Sequence, residues 1–334
     1  QVLPPKAAAT TLAALKEARK EGYSSGRQIE LDQADGRHWF ELSVSRLLNG
    51  DGTERFILLS HDMTASKLDG LHIERLTRFY AALSQCNQAI LHCNDEQELF
   101  TRICHDAVTY SGLEMAWIGL LDEATGSVRP VASHGNGTDY LDDLLISSKA
   151  EHPNGRGPTG TCIREDRPVW SQDFRNDPGT RPWQGRANAH GWSSSAAIPL
   201  RRKGQVVGAF MLYSGEQQAF DQEVKNLLLE MAQDISFALD QFALREAHER
   251  ALEELRESEA RYRLAFKTSP DAVNINRLED GTYLDVNAGF ERITGWNGDE
   301  VIGRSSADIN IWHNPADRQA LIETFPSRGV CQNH

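Results

Sequence analysis

The sequence predicts an α+β chain in which antiparallel sheets made of short hairpins are set between long helices. Segments of alternating apolar and polar residues come in pairs divided by Gly-containing turns, and stretches with apolar residues three and four apart separate those pairs. From 221 to 266 there is no Gly or Pro, so one helix longer than an ordinary domain requires is expected there.

In 39–47, Phe40, Leu42 and Val44 fall on one face and Glu41, Ser43 and Ser45 on the other, the period of a half-buried strand. Asn49, Gly50, Asp51 and Gly52 supply a tight turn, and Phe56, Ile57, Leu58 and Leu59 return as the second strand of a hairpin with one buried face. After Asp62 the spacing becomes helical. Ile73, Leu76, Tyr80, Leu83, Asn87 and Ile90 form a heptad seam with Asn87 as its polar member. Such a seam packs on its own domain or pairs with a second chain, and the residues leave both open.

Asp95 and Glu98 have capping-box spacing ahead of Leu99 and Phe100, which starts a second helix. Strands are expected at 115–121 and 128–133. A polar, Gly-rich connection from 134 to 160 follows, with a short helix around 140–145. A helix at 160–165, a strand at 168–170 and a hairpin of 195–200 with 206–213 complete the segment. The apolar run of Val206, Val207, Gly208, Ala209, Phe210, Met211 and Leu212 suits a central strand covered on both faces.

The long helix changes character along its length. Leu227, Leu228, Met231, Ile235, Leu239 and Phe242 make a broad apolar face, as on a helix packed against a domain. Leu244, His248, Ala251, Leu255, Ser258 and Tyr262 then narrow to a seam. It is flanked by the i,i+4 pairs Glu246 with Arg250, Glu257 with Arg261 and Glu259 with Arg263. Further on, 283–287 alternates as a strand, and 287–294 reads as a helix capped by Asn287 and ending at Gly295.

With 334 residues the chain has room for two or three domains. Its 48 acidic against 35 basic residues give a net charge of −13, which repels phosphate backbones and anionic lipid. Nucleic-acid or membrane-surface binding is therefore not the expected task, and Arg201, Arg202 and Lys203 beside Gly204 read as a solvated hairpin tip. No apolar run approaches the roughly 20 residues that cross a bilayer. Cys86, Cys93, Cys104, Cys162 and Cys331 form no CxxC pair, so a reducing, cytoplasmic compartment is expected.

Three stretches, LFTRICHDAVTYSGLEMAWIGLLDEATGSVRPVASHG, GPTGTCIREDRPVWSQDF and GWSSSAAIPLRRKGQVVGAFMLYSGEQQAF, together resemble a GAF domain over 67–243. The resemblance implies a ligand cavity with Trp117, Gly157, Gly160, Trp170, Asp173 and Trp192 as wall candidates. A helix start at 159–161 offers N–H groups to an anionic or carbonyl guest, and its glycines either admit that guest or merely turn the chain. Cys162 is the one thiol placed for covalent chromophore attachment and equally a small core residue. His134, His152 and His190 fall in connecting segments, poor positions for an axial metal ligand. Cys86, Cys93 and Cys104 share one helical face, which does not make a redox set. The cofactor is left unknown, and the NKxnFxxxDE nucleotide signature is not present as such.

From Glu257, ESEARYRLAFKTSPDAVNINRLEDGTYLDVNAGFERITGWNGDEVIG resembles the N-terminal half of a PAS domain, and GRQIELDQADGRHWFELSVSRLLNGDGTERFILLSHDMT resembles the closing strands of another. The expected organisation is 1–66 as the C-terminal part of a PAS domain, 67–243 as the GAF domain, 244–258 as a helical linker and 259–334 as the N-terminal part of a second PAS domain. Asn274, Asn287, Trp296 and Trp312 are implied pocket candidates, and Gly303 to Ser306 lack the thiol of flavin photochemistry. Asp62, Thr64, Asn87, Leu255 and Tyr262 are candidates for signal relay. The resemblance implies a sensory, non-catalytic segment that detects a small molecule or redox state, dimerises through its linker helices and drives an output outside the chain. That output is expected to be cyclic-di-GMP turnover or a histidine kinase. The alternatives are a GAF-fold redox enzyme and a ligand-free dimerisation scaffold.

Overall fold

A computed structural model of the chain describes residues 3–33, 36–48, 54–142, 145–277, 279–314 and 316–319. The expected turn at 49–52, part of the helix around 140–145, and Cys331 fall outside them.

The chain opens with a helix that the pattern reading does not contain, α1 (Pro5–Glu21). Proline in its first turn and left-handed Gly22, whose N–H bonds Ala18 O at 2.9 Å, fix its ends. Ala7, Ala14 and Ala18 are buried, and their small side chains let α1 lie close on Ile29, Leu42 and Val44. Those residues belong to the antiparallel sheet of β1 (Tyr23–Gln33), β2 (Gly36–Leu48) and β3 (Glu54–Asp62), in that order. The alternation on β2 holds. The single buried face expected for β3 does not: Ile57 is 55% exposed and Leu59 64%. Among the described residues β3 is an edge strand, paired with β2 alone, and α1 covers the middle of the sheet.

At the end of β3 the Asp62 carboxylate accepts from Thr64 N at 2.9 Å, and Thr64 Oγ1 accepts from Trp39 N at 3.0 Å. This clasp starts α2 (Thr64–His92), which is followed by α3 (Glu96–Ser111). The N-cap of α3 is formed, with Glu98 N donating to Asp95 Oδ1 at 2.8 Å, while the Glu98 carboxylate reaches one residue beyond the cap and accepts from Asn94 N at 3.0 Å.

A five-stranded antiparallel sheet follows in the order β5-β4-β8-β7-β6, from β4 (Met115–Leu121), β5 (Val128–Gly135), β6 (Val169–Ser171), β7 (Ser194–Arg202) and β8 (Gln205–Ser214). β8 is the middle strand and is covered on both faces. Phe210 and Leu212 join Ala196, Ile198 and Leu200 in a core under α2, α3 and α6 (Gln222–Thr268). Ala209, Met211 and Tyr213 face the other way, toward α4 (Pro158–Glu165) and α5 (Gln184–His190). The tip of the β7–β8 hairpin is exposed at Lys203 and Gly204, as its charges suggest, but its backbone is tied to a helix. Lys203 and Gly204 take positive φ, and Lys203 N donates to Asp240 of α6 at 2.5 Å. Arg201 N donates to Ser236 at 3.0 Å, and Arg202 pairs with Glu96.

The α2 seam divides its loyalties. Leu83 is buried and Ile90 packs on its own core, whereas Ile73 and Tyr80 are exposed, 63% and 59%. Asn87 hydrogen-bonds Asp234 of α6, whose carboxyl burial pushes up. Two compact units result, 1–243 and 244–334.

In the second unit, β9 (Asn274–Asn276) pairs with β10 (Tyr283–Val286), followed by α7 (Ala288–Thr294) and α8 (Gly298–Val301). Asn287, almost fully buried, organises the surrounding turns. Its Oδ1 accepts from Phe290 N (2.8 Å) and Val273 N (2.9 Å), while Nδ2 donates to Phe266 O and Asp271 O, both at 2.9 Å. Asn287→Ala is expected to cost this unit about 2 kcal/mol or more, from a lost cap and stranded carbonyls. Hydrogen exchange read by mass spectrometry checks this: protection falls across 266–294 and is unchanged across 194–214.

Candidate functional site

On the face of the five-stranded sheet away from α2, α3 and α6, aromatic rings fill the space that the sequence reading gave to a ligand. Trp192 lies on Tyr213 with ring centroids 4.3 Å apart and planes 29° from parallel. Tyr140 meets Trp192 edge-on at 5.3 Å, and Phe174 meets Tyr213 at 6.0 Å. Trp117 Nε1 donates to Tyr213 Oη at 3.4 Å, and burial pushes the Tyr213 phenol up to about 12, so it stays protonated. Tyr140, Phe174, Trp183 and Tyr213 are absent from the sequence-level list. The period-2 placement of Tyr213 beside Met211 was a usable signal. The packing of 138–141 and 178–190 against the sheet had none, because these connections carry no period.

Gly157 and Gly160 both stand at the start of α4, where close packing rather than open space explains them. A Cβ on Gly157 would lie 2.2 Å from the Trp183 ring, and one on Gly160 would lie 2.3 Å from Ser147 O. Trp183 thus closes over Gly157, leaving a void of about 10 Å³ lined by Tyr140, Thr159, Phe174 and Met211 among others. That is room for a single water at most, which needs roughly 10–15 Å³.

The other wall candidates divide. Trp117 and Trp192 are fully buried on this face, and Cys162 packs beside them with its thiol pushed up to about 12 by burial. Asp173 Oδ2 accepts from Asn176 Nδ2 at 2.7 Å, while its Oδ1 is buried without a partner. Trp170 does not join them. It sits on the opposite face, 5.8 Å from Phe220 and under Lys225 Nζ at 5.6 Å, because strand alternation sends it there while Val169 and Ser171 face the aromatic wall. Ser171 Oγ, Ser195 Oγ and Trp192 Nε1 are also buried without partners.

Sequence reading put His134 in a connection, but it lies on β5, its ring 4.7 Å from that of His105. His105 Nδ1 is 2.9 Å from Asp106, whose buried carboxylate also accepts from Arg102 Nε at 3.0 Å. Burial, then the His105 charge, holds the His134 pKa down. His152 accepts from Asn154 N, and His190 stacks on Trp192. Among the described residues no group of three or more His, Cys, Asp or Glu side chains is arranged to hold a metal ion. Cys86 and Cys104 are buried thiols with raised pKa values.

In the second unit the four pocket candidates do different work. Asn287 spends both ends of its amide on backbone, and Asn274 Nδ2 donates to Asn276 at the surface. Trp296 packs half-buried on the cluster of Tyr283 and Phe290, and Trp312 has a buried Nε1 without a partner. Leu255 and Tyr262 are exposed on α6.

The five-stranded sheet thus carries a helical layer on one face and an aromatic wall on the other. A GAF domain model matches residues 93–240, and a PAS fold model matches residues 260–329. The chain thus carries a GAF domain and a PAS fold within those bounds. No curated protein matches it. Among solved structures, free methionine-R-sulfoxide reductase from Neisseria meningitidis, in complex with its substrate, is 17% identical, covering 50% of this chain and 91% of its own (TM-score 0.43). The GAF domain of a phosphoenolpyruvate-protein phosphotransferase from Coxiella burnetii is 15% identical, covering 52% and 98% (TM-score 0.43). The nlh2 GAF domain from A. aeolicus, in an inactive state, is 16% identical, covering 50% and 97% (TM-score 0.38). Among the described residues no helix is long and apolar enough to cross a membrane.

Two outcomes follow from this geometry. Gly157→Ala is expected to push Trp183 out of its seat at a cost of about 1–3 kcal/mol; acrylamide quenching that rises in this variant, but not in Gly157→Ala combined with Trp183→Phe, checks it. Burial keeps the Cys162 thiol protonated through pH 9. Iodoacetamide in the native state therefore labels the more accessible Cys93 and spares Cys162 until the chain is unfolded, as read by peptide mass spectrometry.

Proposed function

We propose that this chain is the sensory segment of a signal-transduction protein, whose GAF and PAS modules respond to a small molecule or to redox state. The response passes along helices to an output module outside the chain. The observation that carries this reading is α6: its first half completes the core beneath the GAF sheet, and the same unbroken helix runs on to Thr268, within the PAS-matching residues. Arg201 N and Lys203 N bond Ser236 and Asp240 on that helix, from a hairpin whose inner residues face the aromatic wall. A guest that shifts the wall thus acts on α6, provided it binds one helix arrangement more tightly than the other.

Leu244, Leu255 and Tyr262 are exposed along α6, and Glu246 with Arg250 and Glu259 with Arg263 are paired beside them. This fits a two-stranded seam, so the acting unit is a homodimer joined through its linker helices, in the cytoplasm. Cyclic-di-GMP turnover or a histidine kinase as the output rests on the sequence resemblance alone. One observation favours a second reading, a GAF domain that binds nothing and serves as a dimerising scaffold: the wall leaves a void of about 10 Å³. Cys86, Cys104 and Cys162 are buried thiols, whereas Cys93 is partly exposed.

Leu255→Cys and Tyr262→Cys are expected to cross-link two copies under mild oxidation, and Glu254→Cys to do so far less. Sedimentation as a monomer at high micromolar concentration, with no preference among the three, overturns the dimer. Asp62→Ala should speed hydrogen exchange at 62–70 about tenfold by opening the clasp, with 205–214 unchanged. Hydrogen bonds from Thr64 hold the Asp62 carboxyl below the usual carboxylate range, so the clasp is complete at neutral pH and loosens as the pH falls through that lowered value.

A further inference from the structure

We infer that the contact between His105 of α3 and His134 of β5 is a proton-operated latch, which holds the edge strand β5 on the GAF domain at neutral pH and loosens when His134 takes up a proton. The inference goes beyond the sensory reading, since it needs no guest in the aromatic wall. β5 is an edge strand, paired along one side with β4. On its other side Val128 N meets Ile146 O at 2.9 Å, and further along α3 supplies two contacts. Gln97 Nε2 donates to Val131 O at 2.9 Å, and the His105 ring lies 4.7 Å from that of His134, tilted by 57°. Edge strands open at less cost than central ones, so contacts from a neighbouring helix weigh heavily there.

Two imidazoles in contact tolerate one charge far better than two. His105 is the ring with a carboxylate beside it, its Nδ1 donating to Oδ1 of the buried Asp106 at 2.9 Å. That carboxylate also accepts from Arg102 Nε at 3.0 Å, so it is already shared. His134 is half-buried, and among the described residues its ring meets that of His105 without a hydrogen bond or ion pair. The other titratable or charged groups around the pair are His92 and Cys93 at the end of α2 and Glu98 and Arg102 on α3, all lining one groove with the two rings. Arg129 is the other charged residue of β5, near the opposite end of the strand. β4 sets Ala116 opposite His134, and Asp139, beyond β5, pairs with His190 at 3.8 Å. Burial first and the His105 charge second hold the His134 pKa below its ordinary value, against a smaller pull from Asp106. A histidine released from this contact titrates near its ordinary value of about 6.5. Protons therefore favour the open form. The attachment is complete above about pH 6.5 and is lost as the pH falls through the lowered value.

The test follows the whole chain from about pH 7.5 to about 5.5, the range in which histidine charge changes. Histidine resonances are read by NMR on 13C-histidine-labelled protein, with His134→Gln assigning His134, and hydrogen exchange is read by mass spectrometry after correction for intrinsic rates. The His134 resonance should titrate below about 6.5, and His105→Gln should move that titration upward. Exchange across 129–135 should rise several-fold, and at most about tenfold, over this range while 205–214 stays unchanged. His134→Gln should abolish the rise. Titration of His134 at or above about 6.5 in the native chain overturns the proposal, whether or not the variants fold. So does an absent rise across 129–135 in the native chain, or an equal rise in His134→Gln.

Discussion

The burial of β8 on both faces is the constraint on which the first unit depends. A strand in mid-sheet shows its even residues to one layer and its odd residues to the other, so one apolar run must satisfy two neighbours at once. Phe210 and Leu212 do this toward the helices, and Met211 and Tyr213 toward the aromatic wall. Shifting the register by one residue would exchange the two sets, placing Tyr213 under α6 and Phe210 against Trp192. The pairing of β8 with β4 and β7 therefore fixes, in a single step, where the helical core lies and where the aromatic wall lies.

The chain supplies the remaining order through its joints. Asp62 and Thr64 turn a strand into α2, Asp95 and Glu98 start α3, and Asn287 gathers the loop at the end of α6 with the start of α7. Each joint is a short polar side chain that satisfies backbone groups otherwise left open where elements meet. The hairpin tip at Lys203 works differently: a side chain of α6 accepts from the strand turn, which ties the sheet to the helix instead of ending an element.

Elements with a strong period were legible in the sequence: β4, the β7–β8 hairpin, the capped start of α3, the unbroken α6 and the cap at Asn287 all stand where spacing put them. α1 was not legible because its buried face is alanine, which adds little contrast to a hydrophobic pattern even though it lets the helix sit close. The exposure of β3 was missed for a related reason. Ile57, Leu58 and Leu59 carry apolarity but no information on which neighbours exist. The candidate site was half legible. Of the wall candidates that the resemblance implied, Trp117 and Trp192 lie on the aromatic face, whereas Trp170 packs in the opposite core, from a strand of three residues that is too short to show a phase. Trp183 and Tyr140 come from connections whose course is set by tertiary packing, and Gly157 and Gly160 looked like openings when they are points of contact.

The stack of Trp192 on Tyr213, with His190 on one side and Tyr140 on another, has an optical side. Rings held at fixed angles in a chiral interior couple their electronic transitions, so the native wall carries its own near-ultraviolet circular dichroism, separate from the far-ultraviolet signal of the helices. The sheet face is thereby a built-in reporter. Loosening of the wall is visible as loss of that band while helical content stays intact, with no label attached to the protein.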